Sequence, residues 1–188
     1  MFLDLKKDKS KLDLKLSKFS KIYDYIIIGT GPSASVVLNN LIDLKKKILV
    51  VERGDFKNDT FESLKSDYFK IRKTSRIFRV GGTSNSWSQT YSFLSKDEMK
   101  NFKKKNLWPL SHKELIRWCK KVGPKYKFDI KKIGQEKVFK NKFYLRKFAE
   151  IKRPLRFSKF FKKKNFDMII NCKIESLDEI GKFSQIYF

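Results

Sequence analysis

The chain is poor in acids, histidine, cysteine and long apolar runs. Against 45 Lys and Arg it sets 20 Asp and Glu, and its 188 residues include 1 His and 2 Cys. Cys119 and Cys172 stand in neither a CxxC nor a metal-ligand spacing. That excludes a disulfide framework and a cysteine metal site, and it fits buried thiols in a reducing compartment. No run of about 18 apolar residues occurs, so no membrane span is expected. The N-terminal stretch carries charge throughout and has no apolar core of signal-peptide length. The expected location is the cytoplasm.

The formal net charge of +25 would ordinarily point to nucleic acid or an anionic surface. Here only 8 of the 45 cations are Arg, Lys is spread along the whole chain, and no nucleic-acid-binding motif accompanies it. The 18 Phe mostly sit singly among lysines, as core anchors rather than base-stacking platforms. A nucleic-acid partner is therefore not expected. The length suffices to bury one good core.

What is present is most legible at residues 23–54, YDYIIIGTGPSASVVLNNLIDLKKKILVVERG. Residues 25–28 are a short apolar run suited to a parallel strand buried on both faces. Gly29 permits a tight turn, Gly31 lets a pyrophosphate approach the backbone, and Ala34 takes the third glycine position, where helix and strand pack closely. A helix over about residues 33–44 points its N-terminal N–H groups at that phosphate. A second strand over residues 48–51 ends at Glu52, 21 positions after Gly31, where an acid accepts hydrogen bonds from ribose hydroxyls. This order is the dinucleotide-binding fingerprint. Glu52 argues against a cofactor carrying a 2′-phosphate, since the two negative charges would repel.

Glu52-Arg53-Gly54 looks like the ExG ending common in flavoproteins. Farther on, RVGGTSNSWS at residues 79–88 resembles the glycine loop of the glucose–methanol–choline (GMC) family of FAD-dependent oxidoreductases, with Gly81, Gly82, Ser84 and Trp87 matching. WPLSHKEL at residues 108–115 is similar to that family's WPxSxxxL segment. RPLRF at residues 153–157 and IINCKIESL at residues 169–177 look like its return to the FAD-binding sheet. The resemblance runs from about residue 23 to 177 with gaps. It implies an α/β fold of the Rossmann-like FAD-binding kind, with a parallel sheet and helices on its faces, and FAD as cofactor. The implied contacts of the first motif are Gly29, Gly31, Pro32, Ser33, Ala34, Glu52 and Arg53. Gly81, Gly82, Thr83 and Ser84 would line the pyrophosphate and flavin side, Asn85 would sit near the reactive ring, and Ile174 would offer backbone groups to the adenine. Where some family members attach FAD through a histidine, this loop reads Asn85-Ser86-Trp87, so a flavin would be held non-covalently.

The resemblance further implies removal of hydride from a CH–OH group of an alcohol or sugar. The family's later flavin-domain segments and C-terminal catalytic pair have no counterpart here. The expectation is a fragment, one half of a split enzyme completed by a C-terminal polypeptide, or a reduced nucleotide-binding homologue. His112, the one histidine, follows a helix N-cap and is expected to be exposed rather than catalytic. No catalytic residue is assigned.

Residues 1–21 read as a basic arm and residues 22–188 as the FAD-binding domain, with a variable insert at about 90–152. Within the arm, Leu12, Leu14 and Leu16 alternate with polar residues and permit a strand or an extended tail. Residues 55–73 suggest a short helix and a loop. Ser95–Glu98 and Ser111–Glu114 are capping-box patterns, and the second should open a helix ending at Gly123-Pro124. Residues 176–188 suggest a hairpin.

Overall fold

The computed structural model describes residues 1–8, 19, 22–61, 75–87, 90–100, 108–138, 143–150, 156–162, 165–180 and 183–187. Along the chain run β1 (Phe2–Asp4), β2 (Tyr25–Ile28), α1 (Pro32–Leu41), β3 (Ile48–Val51), β4 (Thr60–Phe61), β5 (Ile77–Phe78) and β6 (Thr90–Tyr91). Then come α2 (His112–Val122), β7 (Gly134–Val138), β8 (Phe143–Lys147), β9 (Ala149–Glu150), β10 (Asp167–Ile170), β11 (Ser176–Ile180) and β12 (Phe183–Tyr187). The chain divides into two compact units, one of Met1–Ser86 with Arg156–Phe188 and one of Trp87–Leu155.

The first unit is α/β. Its sheet has four strands in the order β1-β10-β3-β2, every pair parallel. The apolar runs explain why. Ile48, Val50, Met168 and Ile170 face one side with Ile27, while Leu49, Val51 and Ile169 face the other with Leu3. The inner strands β3 and β10 are buried on both sides, as continuous apolar runs in a parallel sheet require. β2, expected to be buried on both faces, is instead the edge strand, and Tyr25 and Ile28 are exposed. On the first side α1 packs through Leu38, with Ala34 and Leu41 at helical spacing beside it. On the second side Phe19, Tyr23, Leu5 and Ile174 close the core.

Pro32 opens α1 at a position whose N–H has no helical partner anyway. The helix proper ends at Leu41, and residues Ile42–Leu44 tighten into a 3₁₀ turn that Lys45 terminates in the left-handed conformation, with φ 52°. The expected helix therefore spans the right residues but changes type in its last turn.

Residues 1–21 do more than form an arm. Phe2–Asp4 pairs in parallel with Met168–Ile170 as an edge strand, and Leu3 is fully buried. The alternating leucines at 12, 14 and 16 lie outside the described residues. In the stretch expected to be helical, the described part, residues 55–61, ends in β4, which pairs antiparallel with β5; residues 62–73 lie outside the described set. β11 and β12 form the expected hairpin, pairing Ser176 with Tyr187 through Ile180 with Phe183. No helix among the described residues is long and apolar enough to cross a membrane.

In the second unit, α2 begins with a complete capping box: the Glu114 N–H donates to Ser111 Oγ at 3.3 Å, and the Ser111 N–H donates to the Glu114 carboxylate at 2.8 Å. The Ser111 hydroxyl, which donates to the Glu114 carboxylate at 2.7 Å, and then the Ser111 N–H lower the Glu114 pKa. The helix ends at Val122, before Gly123-Pro124. The Ser95–Glu98 box forms the same two bonds but closes only a turn.

Gly54 couples β3 to the segment that carries the second glycine motif. A Cβ at Gly54 would lie 2.3 Å from the Phe78 carbonyl carbon and 2.4 Å from the Arg79 nitrogen, both backbone atoms that cannot swing aside. Gly54→Ala should therefore destabilise the chain by about 3 kcal/mol or more, as a lower midpoint in urea unfolding.

Candidate functional site

The carboxyl ends of β2 and β3 lie side by side, with Ile28 opposite Val51. This places the turn at residues 29–34 next to Glu52. Gly29 has φ +84°, which a side chain would strain, and its N–H donates to the Val51 carbonyl at 2.7 Å. Gly31 differs. Its φ of −66° suits any residue, and a Cβ there would meet nothing within 4 Å. The fold leaves open space over Gly31, in front of the N-terminus of α1. Gly31 is the N-cap and has no side chain to satisfy the first helical N–H groups, and Pro32 contributes none. Pro32 and Ser33 are exposed, whereas Ala34 packs inward.

The second glycine motif comes to the same place. The Val80 N–H donates to the Asp55 carbonyl at 2.8 Å, which sets residues 79–82 beside the end of β3. A Cβ at Gly82 would lie 3.1 Å from the Gly31 Cα, so the two glycine turns touch backbone to backbone. Gly81, at φ +95°, faces the backbone of Ser158 more closely still, 2.7 Å from where a Cβ would stand.

Thr30 joins the parts. Its hydroxyl, 1% exposed as a residue, donates to Glu52 Oε2 at 2.5 Å and accepts from the Gly81 N–H at 3.0 Å. The other Glu52 oxygen accepts from the Gly54 N–H at 2.8 Å. Glu52 is thus buried and held on both oxygens, while a carboxylate can accept about four hydrogen bonds and so retains acceptor capacity. Sequence reasoning missed Thr30. The only local signal was a hydroxyl residue between the two glycines of GTG.

The remaining loop residues mostly face inward. The buried Ser84 hydroxyl donates to the Gly81 carbonyl at 2.5 Å and accepts from the Phe157 N–H at 3.3 Å. The Asn85 amide donates to the Val80 and Gly82 carbonyls at 3.0 and 2.8 Å. The Gly82 N–H donates to the Arg79 carbonyl at 2.6 Å. Thr83 is exposed. The Arg53 guanidinium lies 4.1 Å from the centre of the Phe78 ring. Ile174 packs on the sheet face opposite α1, beyond Asn171 and Cys172, whose N–H groups donate to the Gly54 and Glu52 carbonyls at 3.1 and 3.0 Å.

A dinucleotide fits this geometry at its pyrophosphate. The cradle over Gly31 is one that a Cβ would fill, and the donors there are backbone N–H groups at a helix N-terminus. Other chemistry finds little footing. Among the described residues no three His, Cys, Asp or Glu are placed to hold a metal ion. Burial pushes the Cys172 thiol up to about 11 and raises Cys119, so neither is a thiolate at neutral pH. His112 is the first residue of α2, in the second unit.

No family model matches the chain, and no curated protein matches it. The likeness to GMC oxidoreductases rests on the quoted motifs alone.

Thr30→Val keeps the shape of the side chain but leaves the Gly81 N–H and a Glu52 oxygen unpaired in the interior. It should cost about 2–3 kcal/mol in urea unfolding, whereas Thr30→Ser, which retains the hydroxyl, should keep most of the stability.

Proposed function

We propose that this chain is the dinucleotide-binding part of an FAD-dependent oxidoreductase of the GMC kind, acting with a complementary polypeptide on the CH–OH group of an alcohol or sugar. The observation that carries the reading is the meeting of the two glycine turns at Gly31 and Gly82, with Glu52 locked behind them through Thr30. Either motif alone would be an ordinary turn. Together they leave one open cradle, bounded by a helix N-terminus and backed by a carboxylate.

In this reading the N–H groups of Ser33 and Ala34 bind the pyrophosphate, and the spare acceptor capacity of Glu52 takes the ribose hydroxyls. Hydride acceptance is the chemistry the flavin supplies when bound. The substrate hydroxyl needs a base for its proton, and the complementary polypeptide would supply it. A second reading, a non-catalytic adenine-nucleotide binder, draws on the position of His112, the one histidine, in the first turn of α2 outside the first unit.

Titration with FAD, followed by flavin fluorescence, tests both. FAD should bind, and ADP should compete for the same cradle. Gly31→Val should weaken FAD at least about tenfold, or about 1.4 kcal/mol. Its unfolding free energy should change by no more than about 1 kcal/mol, the difference expected between helix N-caps. Unchanged FAD affinity in Gly31→Val would refute the cradle. ADP binding as tight as FAD would favour the second reading.

A further inference from the structure

The segment Phe157–Lys162 is a 3₁₀ helix, and its sequence has a period of three. Arg156, Lys159 and Lys162 are all exposed, while Phe157 and Phe161 are 4% and 3% exposed and Phe160 packs against the core. At three residues per turn, side chains at i and i+3 stack above one another. The three cations therefore form one row on the outer edge while the phenylalanines anchor the inner one. Lys57 and Arg79 face this row. With Phe56 and Ser158 they enclose a cleft of about 470 Å³. Arg79 is paired with Asp59 at 3.1 Å, but among the described residues no carboxylate pairs with Lys57, Arg156, Lys159 or Lys162. The nearby Asp55 carboxylate is taken up by the Lys57 and Asn58 N–H groups and the Asn58 amide.

A second cleft, of about 680 Å³, continues from the first, because Phe56 and Lys162 line both. Its other walls are Met1, Phe2, Phe161, Phe166 and Met168. It lies where β1 and β10 present the α1 side of the sheet, and Phe2 there is 52% exposed with its ring centre 5.9 Å from that of Phe56. Its side chains apart from Lys162 are apolar, and the Met1 ammonium at its rim is paired with the Asp167 carboxylate.

We propose that the paired clefts form a binding site for a single anionic amphiphile, with a phosphate monoester head among the cations and an aliphatic chain along the phenylalanines and methionines. Four cations around one cleft, none paired to a carboxylate among the described residues, suit a dianionic head, to which they make charge-assisted hydrogen bonds. A nucleotide fits less well, because among the described residues the side chains of this cleft other than Lys162 offer the ring nitrogens of a base no hydrogen-bond partner. The site is separate from the Gly31 cradle and does not depend on it.

The test is calorimetric titration with decyl phosphate below its micelle concentration, on the full chain with any tag at the C-terminus. One molecule should bind per chain. Inorganic phosphate and uncharged decyl maltoside should bind at least about a hundredfold more weakly, since each fills only one cleft. Lys159→Ala with Lys162→Ala should weaken decyl phosphate about tenfold or more, and Phe2→Ser about tenfold. Lys120→Ala with Lys125→Ala, which removes the same charge from exposed positions in the second unit, should change nothing, and neither should Gly31→Val. Unaltered binding in the Lys159/Lys162 variant overturns the site, because those side chains are exposed and their loss leaves the fold intact. Equal affinity for inorganic phosphate reduces it to an anion site. Binding to phosphatidylglycerol vesicles without binding to the monomer makes it a membrane-surface patch. Loss of binding in Gly31→Val moves the ligand to the dinucleotide cradle. Each of these results contradicts the proposal.

Discussion

The arrangement of the first unit depends on one hydroxyl. Thr30 donates to Glu52 and accepts from the Gly81 N–H, so a single buried group fixes two loops separated by 51 positions to the end of one strand. In the interior such a bond is worth about 1 kcal/mol net when made, and more is lost when one partner is removed and the other stays buried. Together with the Val80–Asp55 and Phe157–Ser84 bonds, this bond holds the Gly81–Asn85 turn in place. It supports the contact between Gly82 and Gly31 and, with the Gly54 N–H, the orientation of Glu52.

The glycines serve two different needs. Gly54 and Gly81 are required by the protein itself, because backbone from distant segments passes where a Cβ would stand. Among the described residues nothing requires a glycine at Gly31: its backbone is ordinary and no atom lies within 4 Å of where a Cβ would stand. In the proposed function that room receives a group approaching from solvent at the helix N-terminus. The same contrast divides the second motif. Ser84 and Asn85 spend their hydrogen bonds on holding the loop's shape, while Thr83 remains exposed.

Much of the sheet was legible in the sequence. The runs at residues 48–51 and 168–170 are short and apolar, and they are buried on both faces as such runs require. The run at 25–28 also became a strand, but at the sheet edge, where Tyr25 and Ile28 stay exposed instead of being buried on both faces. The Ser111 box led into a helix as expected. The Ser95 box did not, because two local hydrogen bonds fix a turn but do not propagate one. β1 was not legible. Phe2-Leu3-Asp4 is too short to show a period, and it becomes a strand only by pairing with Met168–Ile170, residues at the far end of the chain. Thr30 was missed for a related reason: its partner Gly81 is close only after folding. The cation row at 156, 159 and 162 has a helical meaning only in a 3₁₀ segment, where the repeat is three rather than 3.6.

The central claim is that Glu52 and Thr30 act as one unit in joining the glycine turns. A double-mutant cycle in urea unfolding, with Thr30→Val, Glu52→Gln and the two combined, measures it directly. If they act as a unit, the combined variant should be about 1 kcal/mol or more less destabilised than the sum of the single variants, because the second change removes a bond already lost. Additivity within about 0.3 kcal/mol would show that the two side chains are independent and that something else holds the loops together.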